Sequence, residues 1–211
     1  MFSIDRILPV KNIVISLVIF ASLFSLAYTQ TAEEYNEQGM RTFKSGNNEE
    51  SINLFTRAVE INPDFEKAYY NRGFVYMALQ NYSKAVSDFE KTTELNIYFA
   101  KAYYNCGLAY YHLEDYSKSI HNFTKAVEID TVYAKAYYNR GLAYSHLKEY
   151  ANAISDYSKV ISIIPNNIDA YYNRGRAYCD SGNIIKACED WQIAYSMGGT
   201  ETKELLDKHC K

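Results

Sequence analysis

The chain has 211 residues, a formal net charge of −3, 48% hydrophobic and 16% aromatic residues, and only three prolines. This is ample chain for one continuous core. The mildly acidic balance leaves no strongly basic stripe to neutralise phosphates, which argues against nucleic acid as the main partner.

Residues 1–27 follow a logic of their own. Arg6 and Lys11 lead into the uncharged apolar run Ile13 to Ala27, and polar Thr29, Gln30 and Thr31 follow. The run is about fifteen residues, short of the roughly twenty a spanning helix needs, and Ser25-Leu26-Ala27 carries small residues at the spacing a signal peptidase reads. A secretory signal peptide over 1–27 is expected, cleaved after Ala27 or alternatively after Thr29. Retention as a membrane anchor is the alternative, since Asn12 to Ala32 contains no charge. The expected location is therefore a periplasm or the extracellular space, with contact to a membrane only if the segment stays attached. Loss of Asp5, Arg6 and Lys11 with the segment would move the charge from −3 to −4.

The body of the chain repeats. Gly39, Gly73, Gly107, Gly141 and Gly175 are 34 residues apart, and taking them as position 8 gives units 32–65, 66–99, 100–133, 134–167 and 168–201. Position 4 is Tyr35, Tyr69, Tyr103, Tyr137 and Tyr171, and position 11 is Thr42, Tyr76, Tyr110, Tyr144 and Tyr178. Position 20 is always small, from Ser51 to Ala187, and position 24 is aromatic throughout: Phe55, Phe89, Phe123, Tyr157 and Trp191. Position 27 runs Ala58, Thr92, Ala126, Val160, Ala194; position 32 is proline in only two units, at Pro63 and Pro165. A period of this length marks helical hairpins that bury their apolar faces only by stacking on one another. Most of the 22 tyrosines fall at repeated positions, so geometry accounts for them and no cofactor pocket is needed. The pattern predicts helix A over positions 1–14 and helix B over 18–30, with a glycine at position 8 where the helices cross and the small position 20 as the facing hollow. Ser45-Gly46-Asn47-Asn48 and Ser181-Gly182-Asn183 read as turns within hairpins, and Asn62-Pro63 and Pro165-Asn166-Asn167 as ends of helix B.

This order of residue types resembles the tetratricopeptide repeat (TPR) family over residues 32–201, with tyrosine in place of the family's tryptophan at position 4. The resemblance implies an all-α fold: a right-handed α-solenoid of five helix-turn-helix units. Residues 202–211 would close it as a C-terminal capping helix. It also implies a non-catalytic scaffold whose concave face is lined by helix A positions 2, 5, 6, 9, 12 and 13. On that face lie Tyr70, Tyr104, Tyr138 and Tyr172 at position 5, and Asn71, Asn105, Asn139 and Asn173 at position 6. A row of side-chain amides can pair with successive peptide groups of an extended chain, and tyrosines beside it add rigid contact area. Phe74, Leu108 and Leu142 at position 9 would form an apolar strip, and Lys67, Lys101 and Lys135 at position 2 would favour an acidic ligand. The expected partner is a protein or peptide. The family subclass that docks chaperone tails has lysine at position 5, where this chain has tyrosine, so that activity is not implied.

Of the four cysteines, Cys188 lies on helix B of the last unit and Cys210 on the apolar face of the tail. A tail laid antiparallel against helix B would bring the two together, which makes Cys188–Cys210 the preferred disulfide. Cys179, across the hairpin turn, is the rival partner for Cys188, and Cys106 is expected to be a buried small hydrophobe. His112 and His146 share position 13, but on helices about 10 Å apart they are expected to be solvated and not metal ligands. No phosphate loop, nucleophile elbow or zinc spacing occurs, so neither catalysis, a metal nor a cofactor is expected. The alternative is an envelope enzyme or cell-wall-ligand binder related to disulfide-stapled helical-repeat proteins. It lacks a nucleophile and base to place.

Overall fold

The computed structural model describes residues 30–210, among which every regular element is a helix. Five hairpins follow one another: α1 (Ala32–Lys44) with α2 (Asn48–Ile61), α3 (Glu66–Ala78) with α4 (Tyr82–Leu95), α5 (Ala100–His112) with α6 (Tyr116–Ile129), α7 (Ala134–His146) with α8 (Tyr150–Ile163), and α9 (Ile168–Asp180) with α10 (Ile184–Ser196). A short α11 (Thr202–His209) closes the array. The N-terminal segment 1–27, read as a signal peptide or anchor, lies outside the described residues. Among the described residues no helix is long and apolar enough to cross a membrane.

Local chemistry sets the boundaries. Helix B starts a residue earlier than the pattern predicted because position 16 supplies its N-cap: Asn47, Asn81, Asp115 and Asn183 each accept from the backbone N–H three residues on. Glu149 holds that place before α8 without such a bond. The turn just before the cap needs a left-handed residue at position 15. Gly46 and Gly182 take it at φ 87° and 89°, while Gln80, Glu114 and Lys148 adopt it at φ 57°, 60° and 61° with a side chain present.

Each helix B packs on its own helix A and on helix A of the next hairpin, so the core runs the length of the array. Its largest buried side chains are the position-24 rings Phe55, Phe89, Phe123, Tyr157 and Trp191. These rings, not the small residue at position 20, demand the glycine at position 8. A Cβ on Gly107 would sit 2.7 Å from two carbons of the Phe123 ring, and one on Gly175 2.5 Å from Nε1 of Trp191. The residue at position 20 instead secures the crossing where it is serine: Ser51 and Ser119 donate to the carbonyls of Gly39 and Gly107, both at 2.9 Å. Gly107→Ala therefore overpacks a closed core, a cost of about 1–3 kcal/mol against a gain of up to about 1 kcal/mol in helix propensity. Urea denaturation should show a net loss of stability that Gly107→Ala with Phe123→Leu largely restores; a stabilised single variant would refute the crowding.

At the C-terminal end α11 lies on α10, anchored by the buried Thr202, whose hydroxyl donates to the Gly199 carbonyl at 2.6 Å. Cys188 and Cys210 form a disulfide with Cα atoms 5.7 Å apart, leaving Cys179 half-buried and Cys106 buried as free thiols. Burial pushes the Cys106 thiol up to about 12, so it packs as an inert small group.

Candidate functional site

Helices α1, α3, α5, α7 and α9 stand side by side and carry the position-5 and position-6 residues as a ladder that crosses from repeat to repeat. The Asn71 amide donates to Asn36 Oδ1 at 2.8 Å; those of Asn105, Asn139 and Asn173 donate to the hydroxyls of Tyr70, Tyr104 and Tyr138 at 2.9, 3.1 and 2.9 Å. In Asn139 and Asn173 the same Nδ2 also donates to the carbonyl one turn back, of Lys135 and Asp169, which fixes the amide orientation because only an N–H can serve a carbonyl.

This corrects one expectation. The asparagine amides were expected to offer donors and an acceptor to a ligand, but one N–H of each is engaged between repeats, and in Asn139 and Asn173 the amide also bonds within its own helix. The ladder keeps the complementary set: the Oδ1 acceptors of Asn105, Asn139 and Asn173, and the hydroxyl protons of Tyr70, Tyr104 and Tyr138. Burial raises the pKa of these three phenols, against the opposing pull of their asparagine donors, so they stay protonated and able to donate. Tyr172 ends the row with no asparagine bonded to it, and its backbone carbonyl accepts from Trp191 Nε1 at 3.2 Å.

Lys135 joins this face. With Tyr104, Tyr138, Asn139 and Asp169 it borders a cleft of about 370 Å³ lined by the third, fourth and fifth hairpins. Lys67 and Lys101 occupy the equivalent places on α3 and α5 and are exposed. At position 9, Phe74 is 46% exposed and meets Phe43 edge-on at 6.0 Å, Leu108 and Leu142 are half-buried, and Arg176 ends the strip. Leu142, His146, Asn173, Arg176 and Asp180 line a second cleft, of about 220 Å³.

His112 and His146 are exposed, as expected, and each lies on a tyrosine at position 17 of the preceding hairpin: Tyr82–His112 at 4.6 Å and Tyr116–His146 at 4.4 Å between ring centroids. His146 Nε2 also lies 2.8 Å from the Tyr111 hydroxyl. Among the described residues no three His, Cys, Asp or Glu side chains converge as metal ligands.

Sequence reasoning missed the clamps behind this face. Arg72, Arg140 and Arg174 at position 7 each make a bidentate pair with Asp88, Asp156 and Asp190 at position 23, with bonds of 2.7–2.9 Å. Each also donates to position 25 of the preceding repeat, Thr56, Thr124 or Ser158, at 2.9–3.0 Å. Arg140 lies over the rings of Tyr137 and Tyr144, and Arg174 over Tyr171 and Tyr178. Repeat three has Cys106 and Asn122 in these places and Glu90 at position 25 before it; Tyr110 bonds Glu90 instead, and Asn122 donates to its own helix at Lys118 O. The joint loss of the arginine and aspartate from repeat three and of the hydroxyl at position 25 just before it was the available signal.

Stacked helical hairpins with one continuous polar and apolar face define an α-solenoid, a scaffold for protein interaction. Models of the tetratricopeptide repeat match residues 66–97, 100–130 and 134–167, another matches 157–189, and a TPR repeat model matches 39–80. The chain belongs to the tetratricopeptide repeat family. No curated protein sequence matches it. Among solved structures it is similar to MamA, at 28% identity and TM-score 0.74 over 78% of this chain and 96% of that one. It shares the fold of YrrB, a TPR protein with an unusual peptide-binding site, at 24% identity and TM-score 0.77 over 84% and 91%. A MamA chain from Desulfovibrio magneticus RS-1 is similar at 21% identity and TM-score 0.74 over 80% and 96%.

Proposed function

We propose that this protein is a non-catalytic scaffold that holds a peptide segment or helix of a partner protein along the face formed by α3, α5, α7 and α9, outside the cytoplasm. The observation that carries the reading is the ladder. It leaves phenol donors and amide acceptors in alternation along one face, the two groups a peptide backbone needs, beside Phe74, Leu108 and Leu142 for apolar side chains. The ladder is held by bonds between repeats, so the groups keep their spacing before a ligand arrives and little ordering entropy is lost on binding.

Export is supported by the Arg6 to Ala27 pattern and by the Cys188–Cys210 disulfide, since such bonds persist in oxidising compartments. Recovery of the protein from an envelope or secreted fraction with Tyr28 as its first residue is the expected result, and an intact N-terminus in the cytoplasm would defeat this part of the reading.

The groove is tested by selecting displayed random peptides on the purified protein and measuring each on Tyr104→Phe, Tyr138→Phe. The rings stay packed and the protein stays folded, with melting lowered modestly by loss of the Asn139 and Asn173 bonds to these hydroxyls, while binding should weaken about tenfold for two lost hydrogen bonds at a desolvated face. Selected peptides that bind parent and variant equally would remove the ladder from the function.

A further inference from the structure

Resting on the groove reading above, we infer that the partner segment is acidic, with an Asp or Glu at about every third residue of an extended stretch, paired in turn with Lys67, Lys101 and Lys135, and with Arg176, roughly two helical turns along α9, as a separate contact. The observation is how the cations in helices α3 to α10 are used. Lys91, Lys118 and Lys125 reach a carboxylate on their own helix or its cap. Arg72, Arg140 and Arg174 are clamped to aspartates. Lys84, Lys159 and Lys186 lie over tyrosine rings at 5.4, 6.0 and 5.4 Å. Among the described residues of those helices, only Lys67, Lys101, Lys135 and Arg176 have neither, and all four are exposed.

They also share a face. Lys135 lines the cleft with Tyr104, Tyr138 and Asn139, and Arg176 lines the neighbouring one with Leu142 and Asn173, so both border the ladder. The three lysines are the second residues of α3, α5 and α7, where the helix macrodipole disfavours a cation. In the other helices of this face, α1 carries Glu33 and Glu34 in its first turn and α9 carries Asp169, while α3 has Glu66 beside Lys67. At α5 and α7, whose first turns hold no acid, the lysine thus runs against helix stability, and none of the three lysines returns an internal contact; such charge suits an external anion.

Spacing selects the ligand. Packed helices stand roughly 8–10 Å apart, and an extended polyproline II chain has three residues per turn and advances about 3.1 Å per residue, so one turn spans about one repeat and returns every third side chain to the same face. The phenol donors and amide acceptors beside the cations match peptide carbonyl and N–H groups. Asp169 and Asp180 border the same clefts and oppose any dense anion, so the amide-matching groups of the ladder, which suit a peptide backbone and not phosphates, select the acidic peptide over a nucleic acid.

The test is fluorescence anisotropy on the intact protein with end-blocked peptides of repeating Glu-Ser-Gly, Gln-Ser-Gly and Lys-Ser-Gly, and with single-stranded oligonucleotide in a parallel arm. The Glu peptide should bind about tenfold or more tighter than the Gln peptide, its affinity should fall with salt, and the preference should vanish in Lys67→Ser, Lys101→Ser, Lys135→Ser, Arg176→Ser. Equal binding of Glu and Gln peptides, both weakened by Tyr104→Phe, Tyr138→Phe, would overturn the acidic specificity while leaving the groove. Binding of no peptide, or Glu-peptide binding indifferent to the tyrosine variant, would overturn both. Tighter lysine-dependent binding of the oligonucleotide would overturn the choice of peptide.

Discussion

Arg140→Met is expected to lower the stability of the array by about 3 kcal/mol or more, because it strands the Asp156 carboxylate in the core. Arg140 and Asp156 have only 14% and 6% of their side chains exposed, and their contact is a two-bonded fork at 2.7 and 2.8 Å. In the parent, burial raises the Asp156 carboxyl pKa and the guanidinium opposes it. Without the arginine only the raising influence remains, so the folded carboxyl titrates above the unfolded one and folding of the variant takes up a proton. Its stability therefore rises as pH falls, and the deficit at about pH 7 should shrink by about pH 5. Urea denaturation at the two values measures both effects; a deficit under about 1 kcal/mol, or one that does not change with pH, would sink the stranded-charge account. The chain holds its own repair. Repeat three replaces the pair with Cys106 and Asn122, and Asn122 satisfies its amide on its own helix at 2.9 Å. Arg140→Cys with Asp156→Asn should recover most of the loss, since no charge is then buried.

Cys210→Ser is expected to free α11 from α10 while leaving the five hairpins folded. The disulfide spans 22 residues, and closing a loop of that size constrains the unfolded segment by about 3 kcal/mol. Thr202 and its bond to Gly199 remain, but α11 has eight residues, too few to persist alone. Amide exchange over residues 202–210 should then quicken by about two orders of magnitude, as 3 kcal/mol implies, with little change in α3 to α8. Trp191, the only tryptophan, is 1% exposed with His209 at 5.8 Å, so its emission should shift to the red as the cover loosens. Unchanged exchange and unchanged emission would show that packing alone retains α11.

Much of this was readable in advance for a physical reason. A repeat folds each unit into the same surroundings, so the recurrence of Gly107 and its equivalents, of the position-24 rings and of the turn residues marks hairpins, their crossing and their stacking without knowledge of any contact. The N-caps belong to the same class, because Asn81 or Asp115 bonds a backbone group three residues on and acts wholly within its own turn.

The sequence by itself determined the period, the all-helical array and which face of helix A carries Tyr104, Asn105 and Lys101. Only the tertiary structure decided what those groups do. Asn139 reaches Tyr104 and Arg140 reaches Thr124 across the junction between hairpins, and His146 lies on a tyrosine of the repeat before it. Residues that recur in columns show equal environments but not which columns meet, because that pairing is set by the offset at which one hairpin packs on the next. The same offset engages the asparagine donors between repeats and leaves available the tyrosine protons, the amide oxygens and the four cations of helices α3 to α10 that have no such partner.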